Sequence, residues 1–380
     1  MLLTVIGSYY VFATAPSSTF TISPGIYPGA PSYTIWREGD YYFAKNSNGK
    51  IEFWGTDASQ VIQAAIDALS YPDYGSILLK SNIEITNSII LNKRCRLFGE
   101  GKFLPQLAII ADVDGIIITN NDAEVSNIYF ISKSSTYTHS AILVNTTSSN
   151  VIHVTLQNLY FYRAAAEYGW GGTAIKLQAI GHGIGFCHII NVDILGAWNY
   201  GIYIYANGGD AGTYANGNYF NDISIGGTKY GIYIDKEGGA VTNNNLFVNI
   251  GVNQGTSGQE TALYIEGDHN TFLDVKVWDT SSDQLAFNIT SDARWTEIIG
   301  ATFNNNRWIN NGERTLLLTG YWIASAGNIG NLLITALPNP DTSTWGTNMT
   351  GAIWYDTTYG CIAYWNGTHV LYISGSTTPP

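Results

Sequence analysis

A short pattern of six positions recurs along the central part of the chain. Its first, fourth and sixth positions are apolar, and its third is asparagine or aspartate in every copy except the last, which has glycine. The third positions are Asn127, Asn158, Asn191, Asp222, Asn249, Asp274 and Gly300. Successive members are separated by 31, 33, 31, 27, 25 and 26 residues. Self-similarity at such a period is typical of a solenoid, in which each repeat packs on its neighbours.

A second set of strand-like segments lies between the copies of the first pattern. Its members are Ala141–Val144, Ala174–Leu177, Gly201–Ile204, Gly231–Ile234, Ala262–Ile265 and Ala286–Ile289. Period-2 alternation places the second and fourth residues of each segment inside and the third outside. Every coil therefore has at least two strands, and neither pattern is helical. The sequence predicts an all-β chain folded as a right-handed parallel β-helix, with the amides of the first pattern stacked at one bend.

The composition limits the partners of the chain. It has 380 residues, with 17 Lys and Arg against 29 Asp and Glu, so its net charge is −12. Without a basic stripe, neither nucleic acid nor an anionic membrane surface is expected as a partner. Only 12% of the residues are charged, which favours an extracellular location. No apolar run is long enough to span a membrane. The three cysteines are far apart, so no metal and no cofactor is predicted.

Three regions are predicted along the chain. Residues 1–50 form an N-terminal arm with the leading strands, and residues 51–311 form the β-helix. A capping helix at about 58–69, with Asp57 as its N-cap, closes the open end of the solenoid. Residues 312–380 form a C-terminal antiparallel β meander that serves as a cap or oligomerisation module. We expect residues 1–15 to be a structured segment; the alternative is a signal peptide.

Several segments resemble a known superfamily. Tyr41–Asn46, Gly55–Ala58, Val61–Asp67 and Leu97–Gly101 resemble the leading module of pectate-lyase-like β-helix proteins. That module is common in viral tailspikes and in surface proteins of archaea and bacteria. Trp354–Thr358 and Tyr364–Thr368 are similar to short modules at the ends of virion tail fibres. The resemblance implies a homotrimer that binds or cleaves cell-surface polysaccharides.

The outward positions of the second set contain the candidate site. The third positions include Lys176, Tyr203, Tyr233 and Tyr264, and two residues further along lie Tyr205, Asp235 and Glu266. Adjacent coils are about 4.8 Å apart, so the tyrosines form an aromatic ribbon. Aromatic rings stack on sugar rings, and carboxylates accept hydrogen bonds from sugar hydroxyls. The alternative is a tyrosine ladder that only supports the sheet.

Asp235 and Glu266 are neighbours on consecutive coils and form a candidate catalytic pair. Glycosidases hold two carboxyl groups about 5–9.5 Å apart, and repulsion between such groups raises one pKa. Chance proximity is the alternative in a chain with 29 acidic residues. Asp222 and Asp274 occupy the repeated asparagine position and are interpreted as structural.

Two functions follow from these observations. The first is a tailspike-like virion or cell-surface protein that recognises a polysaccharide or a glycoprotein glycan, with other virion proteins as further partners. The second is a polysaccharide depolymerase, either a glycoside hydrolase or a lyase. The Arg-x-Pro-x-x-Arg motif of pectate lyases is absent, which favours recognition over lyase chemistry.

Overall fold

The computed structural model describes residues 30–70, 74–146, 148–253, 258–278, 284–303, 308–313 and 315–319, and the strand segments 335–337, 353–356, 361–365 and 370–373. The predicted N-terminal arm up to residue 29 lies outside these residues.

The strands of the solenoid form three sheets within the described residues. The first contains, in spatial order, Leu316–Thr319, Glu297–Phe303, Thr271–Trp278, Leu246–Asn253, Tyr219–Gly226, His188–Gly196, Thr155–Arg163, Glu124–Ser132, Cys95–Gly99, Gly75–Leu79, Tyr33–Glu38, Tyr41–Asn46 and Ile51–Gly55, with Ile83–Ile85 and Gln106–Ile109 beside this path. The second contains Trp308–Asn310, Leu285–Ile289, Thr261–Ile265, Tyr230–Gly238, Trp198–Gly208, Gly171–Ile180, Ser140–Asn145, Ile116–Ile118 and Ile89–Leu91. The third contains Val151–Ile152, Ile184–Gly185 and Ala215–Asn216.

Each coil contributes one strand to the first sheet and one to the second, and neighbouring coils pair in parallel. The chain is a right-handed parallel β-helix, as the repeats predict. The right-handed crossover is the usual path between parallel strands of a twisted sheet. The parallel ladder continues to Leu316–Thr319, which pairs with Glu297–Phe303 beyond the predicted boundary at residue 311.

The core is a continuous column of apolar side chains inside the coils. The first position of the repeated pattern provides stacked phenylalanines, with ring centroids 4.4 Å apart for Phe220 and Phe247 and 4.5 Å apart for Phe247 and Phe272. All three rings are fully buried. Burial of apolar surface at every coil is the main force that holds such a fold together.

The repeated asparagine position forms the predicted column, which we call the outer ladder. Its backbone is left-handed in every coil, with φ of 52–57° from Asn127 to Asp274 and 72° at Gly300. Asparagine, aspartate and glycine tolerate this conformation better than other residues, which explains their recurrence. The side chains also join the coils, because Asn158 Nδ2 donates to Asn127 Oδ1 at 3.1 Å and Asn191 Nδ2 to Asn158 Oδ1 at 2.8 Å.

A second asparagine ladder lies inside the solenoid and was not predicted. Asn218, Asn245 and Asn270 are all buried. The Nδ2 of Asn218 donates to Asn245 Oδ1 at 2.9 Å, and the Nδ2 of Asn245 donates to Asn270 Oδ1 at 3.0 Å. Asn270 Nδ2 in turn donates to the carbonyl of Thr242 at 3.0 Å. We call these three residues the inner ladder. Its amides satisfy one another where water has no access.

The helix predicted at about 58–69 spans Ala58–Asp67 and has Asp57 as its N-cap. The Asp57 carboxylate accepts from the Ser59 backbone N–H at 2.9 Å. The buried face of the helix contacts Tyr41–Asn46 and Ile51–Gly55. Its role as an end cap stays a prediction. A second, short helix spans Ala165–Tyr168.

The C-terminal region contains the strands Thr335–Leu337, Ile353–Asp356, Cys361–Trp365 and Val370–Ile373. The last three pair antiparallel in sequence order, and Thr335–Leu337 pairs in parallel with Ile353–Asp356. The role of this region in capping or oligomerisation stays a prediction.

Candidate functional site

The outer face of the second sheet contains every residue of the predicted site. Lys176, Tyr203, Tyr233 and Tyr264 occupy one register column on four consecutive coils. Tyr205 pairs with Asp235 two residues further along. The backbone N–H of Glu266 donates to the Ile234 carbonyl at 3.0 Å, which places Glu266 on the coil after Asp235. The repeat therefore brings these side chains together as the sequence predicts.

The tyrosine rings on this face pack against one another. Tyr233 and Tyr264 stack with centroids 4.2 Å apart and an angle of 6° between the rings. Tyr203 meets Tyr233 edge to face at 5.3 Å, and Tyr205 lies 5.7 Å from Tyr203. These rings are half-buried rather than fully exposed. Each therefore keeps part of its surface open for a ligand.

Tyr200 and Tyr230 also belong to this surface, although the sequence interpretation missed them. The Tyr200 ring lies 4.8 Å from Tyr203 and 5.3 Å from Tyr230. We call Tyr200, Tyr203, Tyr205, Tyr230, Tyr233 and Tyr264 the tyrosine surface. Tyr203 follows Tyr200 by three positions along the strand, and strict alternation would place the two side chains on opposite faces.

The reason is that the alternation of side chains is interrupted at the same place in successive strands of the second sheet. Two consecutive residues are buried in each strand, such as Ala174 with Ile175 and Ala262 with Leu263. A side chain larger than alanine does not occur in the first of these two columns, which contains Ala141, Ala174, Gly201, Gly231, Ala262 and Ala286. At Gly231 an added Cβ would lie 2.5 Å from the Ala262 carbonyl oxygen. This column of small residues is the sequence signal that could have revealed Tyr200 and Tyr230.

Lys176 lies at one end of the tyrosine surface. Its Nζ is 5.0 Å from the centroid of Tyr203 and 5.6 Å from that of Tyr205, so the ammonium faces two aromatic rings. Burial lowers its pKa, and the charge of Asp114 partly opposes this effect. Cation–π contacts of this kind position the ammonium where a ligand oxygen could reach it.

Asp235 and Glu266 place two carboxyl groups on consecutive coils beside the rings, and we call them the carboxyl pair. The Tyr203 hydroxyl donates to Asp235 Oδ2 at 3.1 Å, and the Tyr264 hydroxyl donates to Glu266 Oε2 at 3.4 Å. Burial, the charges of Asp235 and Asp292 and a hydrogen bond with Asp235 raise the pKa of Glu266 to about 7. Glu266 therefore keeps its proton up to near-neutral pH.

An open depression continues the tyrosine surface toward the C-terminal coils. It has a volume of about 390 Å³ and is lined by Tyr230, Tyr233, Gln259, Glu260, Thr261, Tyr264, Leu285, Asn288 and Ile309. Glu260 Oε1 pairs with Lys229 Nζ at 2.8 Å, and Glu260 also accepts from the Tyr230 hydroxyl. Although burial acts in the opposite direction, these hydrogen bonds and the charge of Lys229 hold the pKa of Glu260 below its usual value. The lining mixes aromatic faces with polar groups, as sugar-binding sites do.

Arg163 positions the turn at the edge of this face. Its guanidinium is fully buried and donates to the carbonyls of Ser134 at 2.8 Å, Tyr168 at 2.9 Å and Gly169 at 3.1 Å. The following residue, Trp170, is 37% exposed. A Cβ added to Gly258 would lie 3.2 Å from its Nε1. Arg163 thus fixes a turn that reaches across the coils toward Gln259 and Glu260.

Other kinds of site are not found in the described part of the chain. There, no group of three or more His, Cys, Asp or Glu side chains is arranged to hold a metal ion. Cys187 is buried in the core, and burial raises its pKa to about 12. No helix among the described residues is long and apolar enough to cross a membrane.

Comparison with known proteins identifies similar folds only. No family model and no curated protein matches the chain. Its fold is that of the right-handed parallel β-helix proteins. Solved structures similar to it include the ORF18 protein of Geobacillus virus E2, with 12% identity, 84% of each chain covered and a TM-score of 0.39.

Two further similar solved structures are those of enzymes. The alginate lyase of Paenibacillus sp. str. FPU-7 has 14% identity and a TM-score of 0.36, with 69% of this chain and 96% of that one covered. The family 28 exopolygalacturonase of Yersinia enterocolitica has 10% identity and a TM-score of 0.33, with 72% and 83% covered. At these identities the likeness does not extend to a substrate or an activity, which must come from the residues of the site.

Proposed function

We propose that the chain is a surface protein that recognises glycans through the tyrosine surface. The observation that carries the proposal is the cluster of six half-buried tyrosine rings, which continues into a depression lined by hydrogen-bonding groups. A sheet needs no such cluster for its stability, since apolar burial inside the coils already holds it together. Stacked rings with hydroxyls and carboxylates at their edges match the apolar faces and hydroxyl rims of sugars.

The carboxyl pair also supports recognition. Asp235 and Glu266 lie on consecutive coils, and each accepts a hydrogen bond from the tyrosine surface, Asp235 from Tyr203 and Glu266 from Tyr264. In this arrangement the pair is suited to accept hydrogen bonds from sugar hydroxyls.

Replacing Tyr233 by alanine is expected to weaken glycan binding about fivefold to tenfold. Tyr233 lies at the centre of the tyrosine surface and contacts Tyr200, Tyr203, Tyr230 and Tyr264. Loss of one well-stacked ring costs on the order of 1 kcal/mol, and 1.4 kcal/mol is tenfold in affinity. The measurement is biolayer interferometry with immobilised dextran, alginate, polygalacturonate and bacterial capsular polysaccharides.

Tyr160 provides the matched control, because its half-buried ring meets Tyr129 edge to face on the outer face of the first sheet. Tyr160→Ala is expected to leave the affinity unchanged. Equal losses in Tyr160→Ala and Tyr233→Ala, or no binding of the unmodified protein to any of these polymers, would contradict the proposal.

A second candidate function is hydrolysis of the bound glycan by Asp235 and Glu266. The observation that favours it is the pKa of Glu266, which at about 7 suits a general acid at neutral pH. Hydrolysis requires the two carboxyl groups to lie about 5–9.5 Å apart, so that the glycosidic bond fits between them. New reducing ends after incubation with the polysaccharide that the protein binds would establish this activity.

The proposed setting is extracellular, on a virion or on a cell surface, and the proposed assembly is a homotrimer. Support comes from the resemblance of the leading and C-terminal segments to tailspike and tail-fibre modules. We expect light scattering to give a mass of about 124 kDa, which is 3 × 41.4 kDa. A mass of 41.4 kDa at micromolar concentration would contradict the trimer.

A further inference from the structure

A second left-handed column lies five residues before the outer ladder in every coil. Its members precede Asn127 to Gly300 in order, and each has φ between 54° and 65°. They are Asp122, His153, Phe186, Gly217, Asn244, His269 and Trp295. We call them the bend column. It lies between the third sheet and the first sheet, on a different side of the coil from the tyrosine surface.

The backbone of the bend column is held in the same way at each coil. The N–H of Phe186 donates to the carbonyl of Asn216 at 3.3 Å, and the N–H of Gly217 donates to that of Asn243 at 3.2 Å. Equivalent bonds hold Asn244, His269 and Trp295. Gly217 and Asn244 adopt the same left-handed backbone and form the same hydrogen bonds. The fold therefore does not require an aromatic side chain at these positions.

Phe186 and Trp295 are nevertheless present, at φ of 56° and 57°. Bulky residues rarely adopt this conformation, whereas the outer ladder contains only Asn, Asp and Gly. The Phe186 side chain is 55% exposed and that of Trp295 is 45% exposed, so burial does not offset much of the strain. Strained residues that present an exposed side chain are typical of functional positions.

The rings have polar neighbours on adjacent coils. His153 lies 5.9 Å from Phe186, and His269 stacks with Trp295 at 5.9 Å and 16°. Gly217 and Asn244 lie between the two pairs. Phe186 and Trp295 are four coils apart, which corresponds to about 19 Å along the solenoid axis.

We propose that the bend column is a second polysaccharide-binding site, independent of the tyrosine surface. A glycan strand lies along the axis, with the apolar faces of two of its sugars on Phe186 and Trp295. Asn244 and His269 offer hydrogen-bonding groups to the sugar hydroxyls between these rings, and His153 offers one on the coil before Phe186. Gly217 has no side chain, and the Phe186 ring lies over it, because a Cβ added there would be 3.2 Å from Phe186 Cε1.

The spacing of the rings favours a polysaccharide over a protein partner. A stable protein interface buries about 800 Å² on each side around a contiguous apolar centre. In the bend column, Gly217 and Asn244 separate the two rings, and the histidines add polar edges. Separate ring platforms with polar groups between them suit a chain of sugars, in which apolar faces alternate with hydroxyls.

Replacing Phe186 by asparagine tests the site, and Trp295→Asn is its counterpart. Asparagine tolerates the left-handed backbone, so the thermal midpoint is expected to stay unchanged or rise. The affinity for dextran, alginate, polygalacturonate or a capsular polysaccharide, whichever the unmodified protein binds, is expected to fall about fivefold for each ring. Biolayer interferometry and differential scanning calorimetry measure the two quantities.

Phe103→Asn is the matched control, because Phe103 is 60% exposed and lies outside the bend column. Its affinity is expected to equal that of the unmodified protein. Unchanged affinity in both Phe186→Asn and Trp295→Asn would overturn the proposal, as would a lower thermal midpoint in these variants. A change in oligomeric mass in sedimentation velocity without a loss of affinity would assign the column to a protein contact instead.

Comparison with Tyr233→Ala shows which of the two sites binds glycan. If only this variant loses affinity, the tyrosine surface binds glycan and the bend column does not. If only Phe186→Asn and Trp295→Asn lose affinity, the bend column stands and the function proposed for the tyrosine surface fails.

Discussion

Replacing Asn245 by alanine is expected to lower the free energy of unfolding by about 3–5 kcal/mol. Asn245 is the middle member of the inner ladder and is fully buried. Its Oδ1 accepts from the Nδ2 and the backbone N–H of Asn218, and its Nδ2 donates to Asn270 Oδ1 and to the Ala215 carbonyl. Alanine removes all four bonds and leaves buried polar groups without partners, each of which costs about 1–3 kcal/mol.

Asn249→Ala is the matched control on the same coil. Asn249 belongs to the outer ladder, is exposed, and donates to Asp222 at the surface. Its replacement is expected to cost only about 1–2 kcal/mol, because alanine disfavours the left-handed backbone while water replaces the lost partner. Guanidinium-induced unfolding measured by tryptophan fluorescence compares the two. Equal losses would mean that the inner ladder is hydrated rather than sealed.

The first sheet and the outer ladder could be predicted from the sequence because their signal repeats. The left-handed backbone restricts each outer-ladder position to Asn, Asp or Gly, so the same geometry leaves the same residue types in every coil. The stacking of these side chains then follows, since equivalent bends on successive coils lie above one another. Asp222 and Asp274 keep this backbone at φ of 54° and 52°, which agrees with their structural interpretation.

The inner ladder and the bend column could not be predicted, for two different reasons. In the inner-ladder column asparagine occurs at only three coils, and Val154 and Cys187 occupy the preceding ones, so the position is apolar in some coils and polar in others. In the bend column Phe186 and Trp295 oppose the backbone preference of their position. Neither pattern shows a constant residue type from which the geometry could be inferred.

The register of the candidate site could be predicted, and so could a raised pKa in one of its two carboxyl groups, but not which group it would be or how large the effect is. The sequence places Asp235 and Glu266 on consecutive coils. Their interaction depends on partial burial, on the hydrogen bonds from Tyr203 and Tyr264, and on Asp292 one coil further along. These are details of side-chain packing that period-2 alternation does not contain.

Replacing Glu266 by glutamine is expected to remove a pH dependence from the stability of the protein. The pKa of Glu266 is raised from 4.5 to about 7 in the folded state. The folded protein therefore binds this proton more tightly than the unfolded chain does. The resulting stabilisation is fully present below pH 4.5 and is lost as the pH rises through about 7.

The difference in unfolding free energy between the unmodified protein and Glu266→Gln isolates this contribution. Burial lowers the pKa of His188, so His188 adds stability as the pH rises, but it does so equally in both proteins. Urea unfolding is measured for both proteins at pH 4 to 8. As the pH rises from 4.5 to 7, the unfolding free energy of the unmodified protein is expected to fall relative to that of Glu266→Gln. A difference that does not change with pH would mean that Glu266 has the same pKa in the folded and unfolded states.

The same variant decides between recognition and hydrolysis. Glutamine keeps the shape and neutral charge of protonated Glu266 but has no acidic proton to transfer, so a hydrolase would lose a factor of about 100 or more in rate. A glycan-binding protein would keep its affinity within a few fold, because the amide still forms hydrogen bonds with Tyr264 and with sugar hydroxyls. Release of reducing ends and polysaccharide affinity, measured on one preparation with Asp235→Asn as the companion variant, therefore give opposite results for the two functions.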